Sequence, residues 1–142
     1  MAEPQGLKNH ARYVPGFHFV LGGMLVINML YAGLGVLRHW PGARHALFLA
    51  IALVLMYWYV RAFAVGVQDR VIRLEMRLRV KELAPQLASR FDELAIRQVV
   101  ALRFAGDGEL AALMQQVLDG KVVDPAGIKA AVKHWKADTL RI

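Results

Sequence analysis

Cysteine is absent from the 142 residues, which excludes disulfides, thiolate nucleophiles and cysteine-based zinc or iron–sulfur sites. Strand-length alternation of apolar and polar residues is missing as well, so an all-α fold is expected. Groupings that carry chemistry are equally scarce. Asp92 and Glu93 are adjacent and point apart on a helix, and no serine, histidine and carboxylate can be placed together. Gly22-Gly23 and Gly33-Xaa-Gly35 neither follow a strand nor open onto Lys with Ser or Thr, so a phosphate loop is excluded. His39 and His45, in a Pro-Gly turn, offer two ligands at most, fewer than a zinc site needs. No catalytic residue, metal or cofactor is expected, and the chain reads as non-enzymatic.

What the chain does have is long apolar runs. Its residues are 57% hydrophobic and 20% charged, a balance too apolar for a soluble domain unless the apolar residues are gathered. Phe17 to Leu37 holds 21 residues without a formal charge, enough for a helix to cross a hydrocarbon core. No small-x-small cleavage pattern follows it, so it reads as a retained span and not a signal peptide. Ala46 to Val60 is shorter, and it reaches spanning length only when Arg61 and the apolar continuation to Val67 are added. Arg61 then belongs near an interface, because an arginine at the bilayer centre costs about 2.5–3.5 kcal/mol. Tyr13, Trp40 and the run Tyr57, Trp58, Tyr59 fit interfacial anchors.

A net charge of +7 invites a nucleic-acid reading, but its distribution opposes one. From Glu82 to Ile142 eight basic residues face eight acids. The excess lies between Arg61 and Lys81, where six basic residues meet only Asp69 and Glu75, the footprint of a flank facing anionic headgroups. With Lys8 and Arg12, the outer flanks hold eight Lys and Arg against Arg38 and Arg44 in the connector. That bias places both ends of the chain on the cytoplasmic side.

The expected organisation is an N-terminal interfacial segment (1–16), a first span (17–37), an external connector (38–45), a second span (46–67), a helical rod (68–84) and a small helical domain (85–142). The rod contains no glycine or proline and offers Asp69 with Arg73, and Glu75 with Arg79, at i,i+4 spacing. Val67, Val71, Leu74 and Leu78 make a seam of barely two heptads. These four are expected to pack on the chain's own downstream helices, with self-association as the alternative. Beyond Pro85, apolar stripes predict short helices: Leu87, Phe91, Leu94; then Ile96, Val99, Val100, Phe104; then Leu110, Leu113, Met114, Val117, Leu118. Gly106 is expected as a left-handed cap, Asp107 as the cap of the following helix, Gly120 as the next stop and Asp124-Pro125 as the next start. A last helix would bury Ile128, Ala131, Val132 and Trp135 and show Lys129, Lys133 and Lys136 to solvent. A domain of this size without disulfide or metal is marginal alone, and leans on the rod, the membrane surface or a neighbouring subunit.

Within the spans, His18 and Asn28 are the strongly polar residues of the first. His18 shares a stripe with Gly22, Met29 and Gly33; Asn28 shares another with Met24, Tyr31 and Gly35. Gly22, Asn28, Gly33, Ala46 and Ala50 are therefore candidate packing positions, with a polar pore as the competing use. At the headgroup plane Arg12, His18, Arg61, Asp69, Arg70 and Arg73 are candidates for a polar collar.

Four strings, KNHARYVPGFHFV (Lys8 to Val20), QDRVIRLEMRLR (Gln68 to Arg79), ALRFAGDGEL (Ala101 to Leu110) and IKAAVKHWKADTLRI (Ile128 to Ile142), together resemble a family of small two-span bacterial membrane proteins of unknown function. The resemblance implies a bacterial inner-membrane location and nothing chemical. Membrane lipids with anionic headgroups, and further copies of the chain or a larger membrane complex, are the expected partners; a small homo-oligomeric channel or transporter is the alternative function. Because native cysteine is absent, orientation has a clean test. The His39→Cys chain should react with a membrane-impermeant maleimide on intact cells, and the Lys133→Cys chain only after lysis; the reverse pattern would overturn the orientation.

Overall fold

The computed structural model describes residues 6, 7 and 13–138, and those from Tyr13 onward fall into two compact units, Tyr13–Val65 and 66–138. All regular elements among the described residues are helical. They are α1 (Gly16–Leu37), α2 (Ala43–Leu83), a 3-10 segment (Pro85–Glu93), α3 (Ile96–Leu102), α4 (Leu110–Leu118) and α5 (Pro125–Ala131). Both α1 and α2 are long and apolar enough to cross a membrane. Across its 41 residues α2 contains no proline and one glycine, Gly66, so nothing interrupts its backbone ladder. Pro85 ends it by forcing Ala84 out of the helical region, to φ −144° and ψ 56°.

In the unit Tyr13–Val65, α1 and α2 pack antiparallel. Near the start of α1 the Phe17 ring stacks on Tyr57 with centroids 4.4 Å apart, and the Tyr57 hydroxyl donates to the Phe17 carbonyl at 3.4 Å. At the other end the turn closes through a left-handed residue. His39, at φ 56°, lets its own N–H reach the Val36 carbonyl and the Trp40 N–H reach that of Gly35, at 3.1 and 2.9 Å. This is the hydrogen-bond pair of a Schellman cap. Trp40 then lies so close to Gly35 that a Cβ there would stand 3.0 Å from its ring and 3.2 Å from Ala43 Cβ. The connector is thus a tight turn, and α2 starts at Ala43, ahead of the expected Ala46.

In the unit 66–138, one face of α2 supplies a wall of the core. Ile72, Met76, Val80 and Ala84 are buried with Leu87, Phe91, Leu94, Val99, Leu102, Leu110, Met114 and Ile128. This overturns the expectation for the seam. Val67, Val71, Leu74 and Leu78 remain 62%, 49%, 62% and 61% exposed, because the stripe that packs inward is the opposite one. The i,i+4 pairs fail for the same reason. Arg73 and Arg77 both reach Asp92 and lie 5.8 and 5.6 Å from the Phe91 ring centre, while Arg79 goes to Asp107.

Three further expectations about the small helices are corrected. Helix α3 ends at Leu102, ahead of Gly106, and Gly106 is not left-handed. It is small because His134 passes over it: a Cβ would stand 2.9 Å from the His134 carbonyl oxygen. Asp107 caps nothing, since Glu109 is the N-cap of α4. Finally, α5 stops at Ala131, so Trp135 and Lys136 follow an extended segment in which Trp135 bridges Ala105 and the Lys136 N–H donates to the Phe104 carbonyl. Gly120, at φ 73°, and Asp124, whose carboxylate accepts the Gly127 N–H at 2.7 Å, act as read from the sequence. In urea titrations of the full chain in mild detergent, followed by Trp135 fluorescence with Trp40 and Trp58 replaced by Phe, Gly106→Ala should lower stability by about 1–3 kcal/mol. Gly108→Ala, where nothing lies within 4 Å of the added carbon, should be close to neutral.

Candidate functional site

The feature most available for function is the outward face of α2 in the unit 66–138. Its presentation is set by what holds the opposite face. Apolar burial of Ile72, Met76 and Val80 fixes the rotation of the helix, and arginines on either side secure it. Arg79 Nε donates to Asp107 Oδ1 at 2.9 Å, Nη1 to the Arg103 carbonyl at 3.1 Å, and Nη2 to Asp107 at 2.6 Å and to the Ala105 carbonyl. Lys136 Nζ joins the same Asp107 oxygen at 3.1 Å. Beside them Arg103, almost fully buried, pairs with Asp138 at 3.2 Å and lies 4.5 Å from the Phe104 ring centre.

A second polar node closes the extended C-terminal segment. The carboxylate of Glu109 accepts the N–H groups of Gly106, Lys133 and His134 at 3.2, 3.1 and 2.9 Å. Burial pushes this carboxyl up, but the three backbone donors together outweigh it and leave it below its ordinary value. Asp107 is held low by its hydrogen bonds from Arg79 and then Lys136. With its cations committed to carboxylates and carbonyls, the small hollow of about 150 Å³ lined by Arg79, Arg103, Lys136 and Asp138 reads as a structural node.

In the unit Tyr13–Val65 a shallow cleft of about 480 Å³ lies between the helices, lined by His18, Phe19, Gly22, Gly23, Leu25, Val26, Val54 and Tyr57. His18 is half-buried, with Nδ1 3.1 Å from both the N–H and the carbonyl oxygen of Val14, and its ring meets Tyr13 edge-on. Of the packing candidates, Gly22 lies where an added Cβ would stand 3.5 Å from the Tyr57 hydroxyl, and Ala50 is fully buried. Gly33 faces open space, and Asn28 and Ala46 are exposed. Gly35 is the tight glycine that the sequence reading left out of its candidates. Among the collar candidates, Arg61 is half-buried in this unit, while Asp69, Arg70 and Arg73 belong to the other unit. Arg73 is drawn to Asp92, and Arg12 lies outside the described residues. Among the described residues no group of three or more His, Asp or Glu is placed to hold a metal.

A model of a family of unknown function, DUF6526, matches residues 1–142, the whole chain. The chain belongs to that family. No curated protein and no solved structure matches the DUF6526 chain, so roles for its residues rest on geometry. Arg79, Asp107 and Glu109 were missed as a group because no local motif joins them. The signal for the inward face was present, since Ile72, Met76 and Val80 recur at i, i+4 and i+8 beside the rival stripe.

The two depressed carboxyls give the DUF6526 fold a pH dependence. Their folded values lie below the unfolded ones, so the stability they contribute is present above the ordinary carboxylate range and is lost as pH falls through the folded values. Unfolding of the full chain in detergent, measured from pH 7 down to about pH 3, should show this acid loss. Glu109→Gln should flatten part of it and lower stability at neutral pH; an unchanged slope would mean that the node contributes nothing.

Proposed function

We propose that this is an integral membrane protein of the bacterial inner membrane, with α1 and α2 as its spans and both ends of the chain cytoplasmic. Its role is non-enzymatic: a scaffold that self-associates, or an accessory subunit of a membrane complex. The observation that carries the self-association is the outward seam Val67, Val71, Leu74 and Leu78, an apolar stripe with no cover from its own chain among the described residues. Membrane insertion is supported by what α1 and α2 leave uncovered. Only 11% and 6% of their most apolar windows are buried, whereas a core helix of a soluble protein hides its apolar residues. The basic excess from Arg61 to Lys81 favours the cytoplasmic, anionic headgroup layer on that side.

A small homo-oligomeric channel or transporter is the second reading. It is favoured by Asn28, whose amide is exposed on an apolar helix and calls for a protein or water partner once that helix is in lipid. Mass measurement separates the cases. The detergent-solubilised protein, with bound detergent subtracted, should weigh at least two copies of the 15.9 kDa chain. A monomer would sink the self-associating scaffold and the channel, and leave the accessory subunit of a larger complex. Asn28→Leu should leave a scaffold's mass unchanged, and would abolish conduction through a channel.

A further inference from the structure

We infer that the seam of α2 binds a second copy of this chain as a short, parallel, in-register coiled coil, fastened across the interface by Arg70 of each copy and Glu75 of the other. The inference rests on the membrane reading above, which inserts both copies in the same direction and so makes their α2 helices parallel. With Val67 and Leu74 in the d positions and Val71 and Leu78 in the a positions, the flanks are determined. Gln68, Glu75 and Glu82 occupy e; Arg70 and Arg77 occupy g.

In a parallel pair each g residue faces the e residue five positions on in its partner. Arg70 then meets Glu75 across the interface, twice by symmetry. An antiparallel pair instead sets g against g and e against e, which would oppose arginine to arginine and glutamate to glutamate. The pattern thus selects one orientation, the one that shared insertion imposes. Among the described residues Arg70 and Glu75 form no ion pair within the chain, and both are exposed. Arg77 is already held by Asp92, so the equivalent bridge to Glu82 is not part of the interface. The seam has a defined C-terminal end: the next d position is Lys81, and Pro85 follows. A seam this short is weak in dilute solution, and confinement of both copies to one membrane supplies the effective concentration it lacks.

The absence of native cysteine makes the test direct. In native membranes the full chain carrying Leu74→Cys should form a disulfide dimer under mild oxidation, since a d residue meets its own copy in a parallel register. Ala112→Cys, exposed on α4, should not. In mild detergent Glu75→Arg should weaken the dimer about 2- to 5-fold, and adding Arg70→Glu should restore it. Alkaline carbonate extraction of the same membranes reports separately on insertion: release of the chain overturns the membrane reading. Retention of the Leu74→Cys chain without a disulfide dimer overturns the seam alone, whether the free face is covered by lipid headgroups, another protein or the chain's own residues 1–12. A disulfide dimer of that variant indifferent to both charge changes overturns the Arg70–Glu75 fastening.

Discussion

The rotational setting of α2 is the constraint on which the rest of the unit 66–138 depends, and Arg79 sets it together with the apolar stripe behind it. A helix has one degree of freedom about its axis, so burying Ile72, Met76 and Val80 decides where every other side chain goes. Apolar packing alone tolerates some roll. The Arg79 guanidinium does not, because it addresses Asp107 and the carbonyls of Arg103 and Ala105 from one planar fork. Its guanidinium is largely covered while Asp107 is more than half exposed, so the pair avoids most of the cost of a fully buried ion pair.

That same fork ties α2 to the loop between α3 and α4, which in turn receives the C-terminal segment. Backbone groups at 103–106 are shared out among several partners: Arg79 takes two carbonyls, Lys136 N–H takes that of Phe104, and Glu109 collects the Gly106 N–H with those of Lys133 and His134. Irregular backbone near a core is tolerated only when its polar groups find partners. Here charged side chains supply them in place of a sheet or a longer helix. This arrangement is how a small unit without disulfide or metal closes around Phe91, Phe104 and Leu110.

Helix identity was legible where local chemistry decides it. Apolar runs gave α1 and α2, Pro85 gave the break, Gly120 gave a left-handed stop and Asp124-Pro125 a capped start. What stayed hidden depends on partners far along the chain. Gly106 looked like a cap and is a clearance for His134; Asp107 looked like a cap and is the acceptor for Arg79 and Lys136. The seam was found by its spacing but assigned to the wrong side of the helix. Two apolar stripes competed for one interior, and the arginines flanking Ile72 and Met76 decided between them through Asp92 and Asp107, residues that no i,i+4 rule connects to them.

The two uncovered apolar surfaces of this chain are not equivalent, and the difference bears on where association is driven. On the membrane reading, the outer faces of α1 and α2 meet acyl chains as apolar as themselves, so Leu30, Ile27 or Phe48 gain nothing by exchanging lipid for protein. Only close approach or a polar contact would drive pairing there; Gly22 and Gly35 are already used within the chain by Tyr57 and Trp40, which leaves Gly33, with open space before it, as a small residue that a second helix could approach. Leu74 and Leu78, past the apolar run, face water, where burial is favourable without any special geometry. In the proposed dimer, then, water-driven association lies at the seam and its charge pattern, while the spans supply orientation and concentration.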